Sequence, residues 1–115
     1  MEKLQFSIQI NAAREKVWQV LWADESYRKW TSVFTPGSYA VSDWQEGSKI
    51  HFLDGKGRGM HSIIDKKVEN SQMVFKHMGE IIDGEEKQSD WAGSEETYIL
   101  TGSGNTTDLA VELDA

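Results

Sequence analysis

Residues 3–10 alternate between apolar and polar, with Leu4, Phe6, Ile8 and Ile10 on one side and Lys3, Gln5, Ser7 and Gln9 on the other. That period of two is the pattern of a half-buried β-strand. The period then lengthens: Val17, Trp18, Leu21 and Trp22 fall at helical spacing within residues 13–22, and Asn11 offers an N-cap. Asp24 is placed to cap a second helical turn that runs to Trp30, before Thr35-Pro-Gly-Ser38 breaks regular structure. Beyond this point the pattern is one of strands and turns. Turn signals such as Gln45-Glu-Gly47, Asp54-Gly55, Asp83-Gly84 and Gly102-Ser-Gly-Asn105 separate strand candidates near 38–44, 48–54, 58–68, 72–81, 95–101 and 106–114. Short connections favour antiparallel neighbours, because parallel pairing needs a crossover of a dozen or more residues. The predicted class is α+β, with two short helices on one side of a curved, seven-stranded antiparallel sheet. In the last strand Leu109, Val111 and Leu113 share one face, and no later segment of the sequence can cover it.

Composition narrows what such a sheet can serve. A chain of 115 residues makes one domain with one core. Five Trp, four Phe and three Tyr are a heavy aromatic load for that length, and aromatic rings supply much of the buried area in cores and pockets. A net charge of −7 excludes nucleic acid as the expected partner, since phosphate binding draws on Lys and Arg, and it disfavours an anionic membrane surface. No stretch approaches the roughly 18 apolar residues of a membrane span, so membrane insertion is not expected. Met1-Glu-Lys-Leu-Gln-Phe6 has no apolar stretch behind a basic one, so the cytoplasm is the expected location. Without cysteine there is no disulfide, thiolate nucleophile or Cys-ligated zinc.

The chemistry-bearing residues are sparse. His51, His61 and His77 lie on separate predicted strands without a metal-ligand spacing or a convergent carboxylate, so no metal site and no cofactor are expected. His77 shares strand parity with Met73 and Phe75 and is expected to turn inward, either as a satisfied core histidine or as a group that orients a ligand. Gly55-Lys-Gly-Arg-Gly59 suggests a phosphate loop, but a strand rather than a helix follows it, so a glycine-rich hairpin is the simpler reading. Glu80, Asp83, Glu85 and Glu86 surround an Asp-Gly turn and read as solvated surface. Glu96 shares parity with Tyr98 and Leu100, which makes it the best acid-base candidate should that face be the concave one. No G-x-S-x-G elbow is present, and no catalytic residue is assigned. Trp18 and Trp22 read as packing residues, whereas Trp30, Phe34, Trp44 and Trp91 fall in or beside loops and are candidate walls or lids of a cavity mouth.

The order of Ile10-Asn-Ala-Ala-Arg-Glu-Lys-Val-Trp18, Tyr27-Arg-Lys-Trp30, Pro36-Gly37-Ser38, Asp43-Trp44-Gln-Glu-Gly47-Ser48, Gly57-Arg-Gly-Met60, His77-Met-Gly79, Asp83-Gly84 and Glu96-Thr-Tyr98 resembles the START-like, Bet v 1-like (SRPBCC) superfamily. Within it, the chain is most similar to the bacterial branch related to the C-terminal domain of activators of the Hsp90 ATPase. The resemblance implies a helix-grip fold, in which a seven-stranded sheet wraps a long C-terminal helix around a hydrophobic cavity. The sequence stops before that helix, so the expectation is a single START-like domain over 1–115 that is C-terminally truncated from a longer natural chain, with a homodimer covering the exposed face as the alternative. The implied function is binding of a small hydrophobic ligand, a lipid or aromatic compound. Its candidate site comprises Trp30, Phe34, Trp44, Phe75, His77, Trp91, Tyr98, Leu109 and Val111. Two alternatives follow from the same superfamily: an enzyme similar to polyketide cyclases and aromatases, using His77, Tyr98 and Glu96, or an Hsp90-activator-like module whose partner is a chaperone.

Overall fold

The structure, a computed structural model, describes residues 3–32, 37–89 and 92–114. The chain runs β1 (Lys3–Ile10), α1 (Arg14–Trp22), α2 (Asp24–Thr31), β2 (Tyr39–Val41), β3 (Lys49–Leu53), β4 (Gly59–Val68), β5 (Gln72–Ile82), β6 (Glu85–Glu86), β7 (Ser94–Ser103) and β8 (Thr106–Asp114). All strands join one antiparallel sheet in the order β1-β8-β7-β5-β4-β3-β2, with β6 paired to β5 off that path. The α+β class and the seven expected strands are present, and the two-residue β6 adds an eighth. It exists because Asp83 (φ 53°) and Gly84 (φ 80°) both adopt left-handed backbone, the geometry that closes a two-residue hairpin with the twist of its strands. Among the described residues no helix follows β8.

The strand expected over 38–44 shortens to Tyr39–Val41, because Trp44 takes a left-handed φ of 60° and its N–H donates to Ser42 Oγ at 3.0 Å. The helix caps also differ from expectation. Ala12 N–H bonds back to Ile10 O at 2.9 Å and holds this segment in a turn, so Ala13, not Asn11, caps α1. Ala23, in extended conformation, ends α1 and begins α2, which leaves Asp24 inside the second helix. There Asp24 meets Arg28 one turn on at 2.9 Å, an acid at the helix start and a base at its end, as the helix dipole favours.

Both helices pack on one face of the sheet. Val17, Trp18 and Trp22 of α1 and Tyr27 of α2 close over Ile50, Ile64, Met73, Phe75, Tyr98 and Leu100 to form the core. Thr107, fully buried, ties β8 to the β1–α1 connection by donating to Ala12 O at 2.7 Å. Coverage ends towards the β1 edge. Leu4 opposes Leu113, Phe6 opposes Val111 and Ile8 opposes Leu109, so these apolar side chains share the helix-bearing face, yet Leu4, Phe6 and Ile8 are 46%, 57% and 60% exposed.

β5 serves both faces of the sheet. Ser62 pairs with His77 but His61 pairs with Gly79, so Met78 is an extra residue in β5, a β-bulge. Before it, Met73, Phe75 and His77 face the helices. After it, Gly79 lies on the opposite, outer face beside His61.

Candidate functional site

A line of polar side chains runs across the helix-bearing face. Ser62 and His77 stand directly opposite each other on β4 and β5, while Glu96 and Tyr98 stand two apart on β7, Glu96 diagonal to His77. A carboxylate can only accept, so His77 Nε2–H donates to Glu96 Oε1 at 3.1 Å, and Nδ1 then accepts from Ser62 Oγ–H at 2.7 Å. Tyr98 O–H donates to the second carboxylate oxygen, Oε2. Burial pushes the Tyr98 phenol well above its ordinary value, and the Glu96 charge and hydrogen bond push it further. Tyr27 is raised for the same first reason and then by the charge of Glu96. Both phenols therefore remain neutral beside a single anionic group.

The order Ser–His–Glu matches that of a hydrolase triad, but its placement does not. Ser62 is only 2% exposed and does not line the adjoining cavity, so its hydroxyl cannot reach a substrate as a nucleophile must. Glu96, with 23% of its side chain exposed, is the member that looks out. It lines a cavity of about 230 Å³ with Trp22, Tyr27, Trp30, Phe52, Phe75 and Tyr98, closed by Thr31 and Met60. The rings interlock edge to face: Phe52 on Phe75 at 5.1 Å, Trp22 on Phe75 at 5.3 Å, Trp22 on Tyr98 at 5.0 Å and Tyr27 on Trp30 at 5.2 Å. Trp30 is held by donating Nε1–H to Leu21 O at 3.2 Å. Trp22 Nε1 is buried without an acceptor among the described residues.

The sequence-derived candidates divide accordingly. Trp30, Phe75 and Tyr98 line this cavity, and His77 sits behind Glu96 as its hydrogen-bond partner. Trp44 packs on the far side of Trp22, at 5.9 Å, and lines a separate cavity of about 250 Å³ with Trp18 and Met73. That second space carries one charged group, Lys67, whose Nζ is already engaged with Trp44 O at 2.7 Å. Leu109 and Val111 are half-buried on the strip between the core and the β1 edge. Phe34 and Trp91 lie outside the described residues. Sequence reasoning missed Tyr27, Phe52 and Ser62, although Phe52 and Ser62 share strand parity with the apolar residues Ile50 and Ile64.

The outer face corrects one expectation. A carboxylate does converge on two histidines: Glu86 Oε2 lies 3.1 Å from His51 Nε2 and 3.5 Å from His61 Nδ1, with Lys49 Nζ 3.4 Å from Oε1. β6 was invisible to periodicity because it is two residues long, and it is β6 that carries Glu86 there. The Glu86 carboxyl is held below the usual range, first by its hydrogen bond with His51 and then by Lys49 and His61. No group of three or more side chains able to hold a metal ion occurs among the described residues. The Gly55–Gly59 loop is a hairpin whose Lys56 and Arg58 N–H groups turn inward to Asp54 Oδ1 at 2.8 and 3.2 Å, so those amides are not presented to an external anion. No helix among the described residues is long and apolar enough to cross a membrane.

Against known proteins, the profile of the family described as activator of Hsp90 ATPase homolog 1-like protein matches residues 11–114. The Aha1 dimer from Colwellia psychrerythraea superposes with a TM-score of 0.75 at 24% identity, over 99% of this chain and 76% of that one. A protein from Cytophaga hutchinsonii gives 0.73 at 25% identity, over 100% and 77% of the two chains. An Hsp90 activator from Plasmodium falciparum gives 0.72 at 14% identity, over 99% and 73%. These similarities include the helix-grip arrangement of helices on an antiparallel sheet. No curated protein matches the chain.

Proposed function

This chain belongs to the family of activator of Hsp90 ATPase homolog 1-like proteins, and from that premise we propose that it binds a small hydrophobic molecule in the aromatic cavity between α2 and the sheet. One observation carries the reading: a space of about 230 Å³ is walled by six aromatic rings and has one convergent carboxylate, Glu96. Ligand sites are concave, mostly apolar and oriented by a few polar groups. Typical pockets for drug-sized ligands start near roughly 300 Å³, so the volume suits one aromatic ring or a short branched chain rather than a two-chain lipid. The cyclase-like alternative is less well supported, since His77, one of its three acid-base residues, sits behind Glu96 and does not line the cavity. A cytoplasmic location accompanies the reading.

Trp22 and Trp30 line the cavity, so titration with single-ring aromatic probes should quench tryptophan fluorescence saturably. Thr31→Phe, which narrows the cavity without touching the polar line, should weaken that binding about tenfold or more. Absence of saturable binding across a panel of such probes would overturn the reading.

The exposed row of Leu4, Phe6 and Ile8 favours a second reading, in which this face docks an Hsp90-type chaperone, the partner that the family's description suggests. Changing Phe6 and Ile8 to Ser should then abolish co-elution with the chaperone while leaving cavity binding intact. Co-elution unaffected by those changes would rule out this face.

A further inference from the structure

The charge balance of the cavity specifies more about its occupant than its walls do. Glu96 is the only ionised side chain that lines it among the described residues. The partners of Glu96 are neutral donors. Both phenols are held in the neutral form, and the hydrogen-bond accounting at His77 is complete with an uncharged imidazole. Were Nδ1 also protonated, Ser62 Oγ would have to accept from it, and the buried Ser62 hydroxyl would need a further acceptor that the described residues do not provide. A net charge of about −1 therefore stands at the edge of a π-rich enclosure. Arg28 of α2 is committed to Asp24 and the Tyr39 ring, and Lys67, in the separate Trp44 cavity, to the Trp44 carbonyl. The chain as a whole carries −7, which adds an attractive field for positive ligands.

We infer that the molecule taken up here is a small organic cation, an aryl- or alkylammonium whose charged end sits against Glu96 and the aromatic rings. The inference rests on the ligand-binding reading above and names the class of ligand. Two interactions act together on such a group. A ring face attracts a cation through its quadrupole, and this is strengthened where water is excluded. The carboxylate retains lone pairs beyond the two engaged by His77 and Tyr98. An anionic ligand of the same shape, such as a carboxylic acid, would set its charge against that of Glu96 in a space of low dielectric and be rejected.

Three probes of matched size separate the possibilities: phenyltrimethylammonium, its uncharged isostere tert-butylbenzene, and benzoate, each titrated against the full chain by tryptophan fluorescence and calorimetry. The expected result is that phenyltrimethylammonium binds at least about tenfold more tightly than tert-butylbenzene, with benzoate weakest. Glu96→Gln keeps the size and an acceptor but removes the charge, and should bring the affinity of the cation down to that of the neutral probe. Equal or tighter binding of tert-butylbenzene or benzoate by the unmodified chain would overturn the cation inference while leaving the cavity a ligand site. An ammonium preference that survives Glu96→Gln would overturn it too. If none of the three binds, the ligand-binding reading fails with it.

Discussion

Two histidine–glutamate pairs sit on opposite faces of one sheet with the same separation. His77 meets Glu96 at 3.1 Å under the helices, and His51 meets Glu86 at 3.1 Å on the outer face. Their surroundings make them different devices. The inner pair continues to the buried Ser62 and to Tyr98 and is enclosed by rings, so its donors have nowhere else to turn. In the outer pair both side chains are 36% exposed, with Lys49 and His61 nearby and water able to compete. A distance alone does not rank an interaction. What ranks it is whether a broken bond leaves an unsatisfied group in a dry place.

Breaking the inner pair should therefore have the largest effect. Glu96→Leu leaves Tyr98 O–H and His77 Nε2–H facing an apolar side chain, and an orphaned buried partner costs about 3 kcal/mol, which the partial exposure of Glu96 lowers towards ~2 kcal/mol. Urea unfolding midpoints check this, and a loss no greater than that of the outer-pair variants would erase the distinction. Next comes Gly79→Ala, which attacks the outer cluster through the backbone. A Cβ there would lie 1.8 Å from Lys87 O and 2.7 Å from His61 Nε2, so the exposed chain of and after β6 must move, at about 1 kcal/mol, the low end of the overpacking range. The NMR chemical shifts of the His61 ring should change as its contacts with Glu86 and the Lys87 carbonyl are lost.

The smallest effect belongs to Glu86→Gln, and it should depend on salt and pH. The folded Glu86 carboxyl titrates below its ordinary value of 4.5. Its contribution is therefore fully present above about pH 4.5 and is lost as pH falls through the lower folded value. The difference in melting temperature between Glu86→Gln and the unmodified chain should shrink across that acid window and with added salt. A difference that stayed constant under both changes would mean that the outer pair is shielded like the inner one.

The inner site was largely legible in the sequence because a strand has a period of two. Parity put His77 with Phe75 on one side of β5 and Glu96 with Tyr98 on one side of β7, and left open whether the two sides coincide. Which of them would touch was not legible, since that depends on the register between β5 and β7, and neither strand records it by itself. Tyr27 could not be assigned because its position depends on the one-residue break at Ala23 that turns α2 across the sheet. Trp44 lines a different cavity from Trp30 because its loop folds inward against Trp22. The outer cluster was hidden for another reason: Glu86 reaches His61 across Gly79, a residue with no side chain to carry a pattern.

The extra residue at Met78 gives β5 an unusual tolerance. Removing it would join two stretches that already face correctly, His77 opposite Ser62 and Gly79 opposite His61, and would straighten the strand without turning any other side chain over. Deleting Val74 or Lys76 instead would invert everything on one side of the cut. When relatives of this chain are aligned, a one-residue gap inside β5 thus belongs at Met78, in mid-strand, and not in the neighbouring turns where gaps are usually placed.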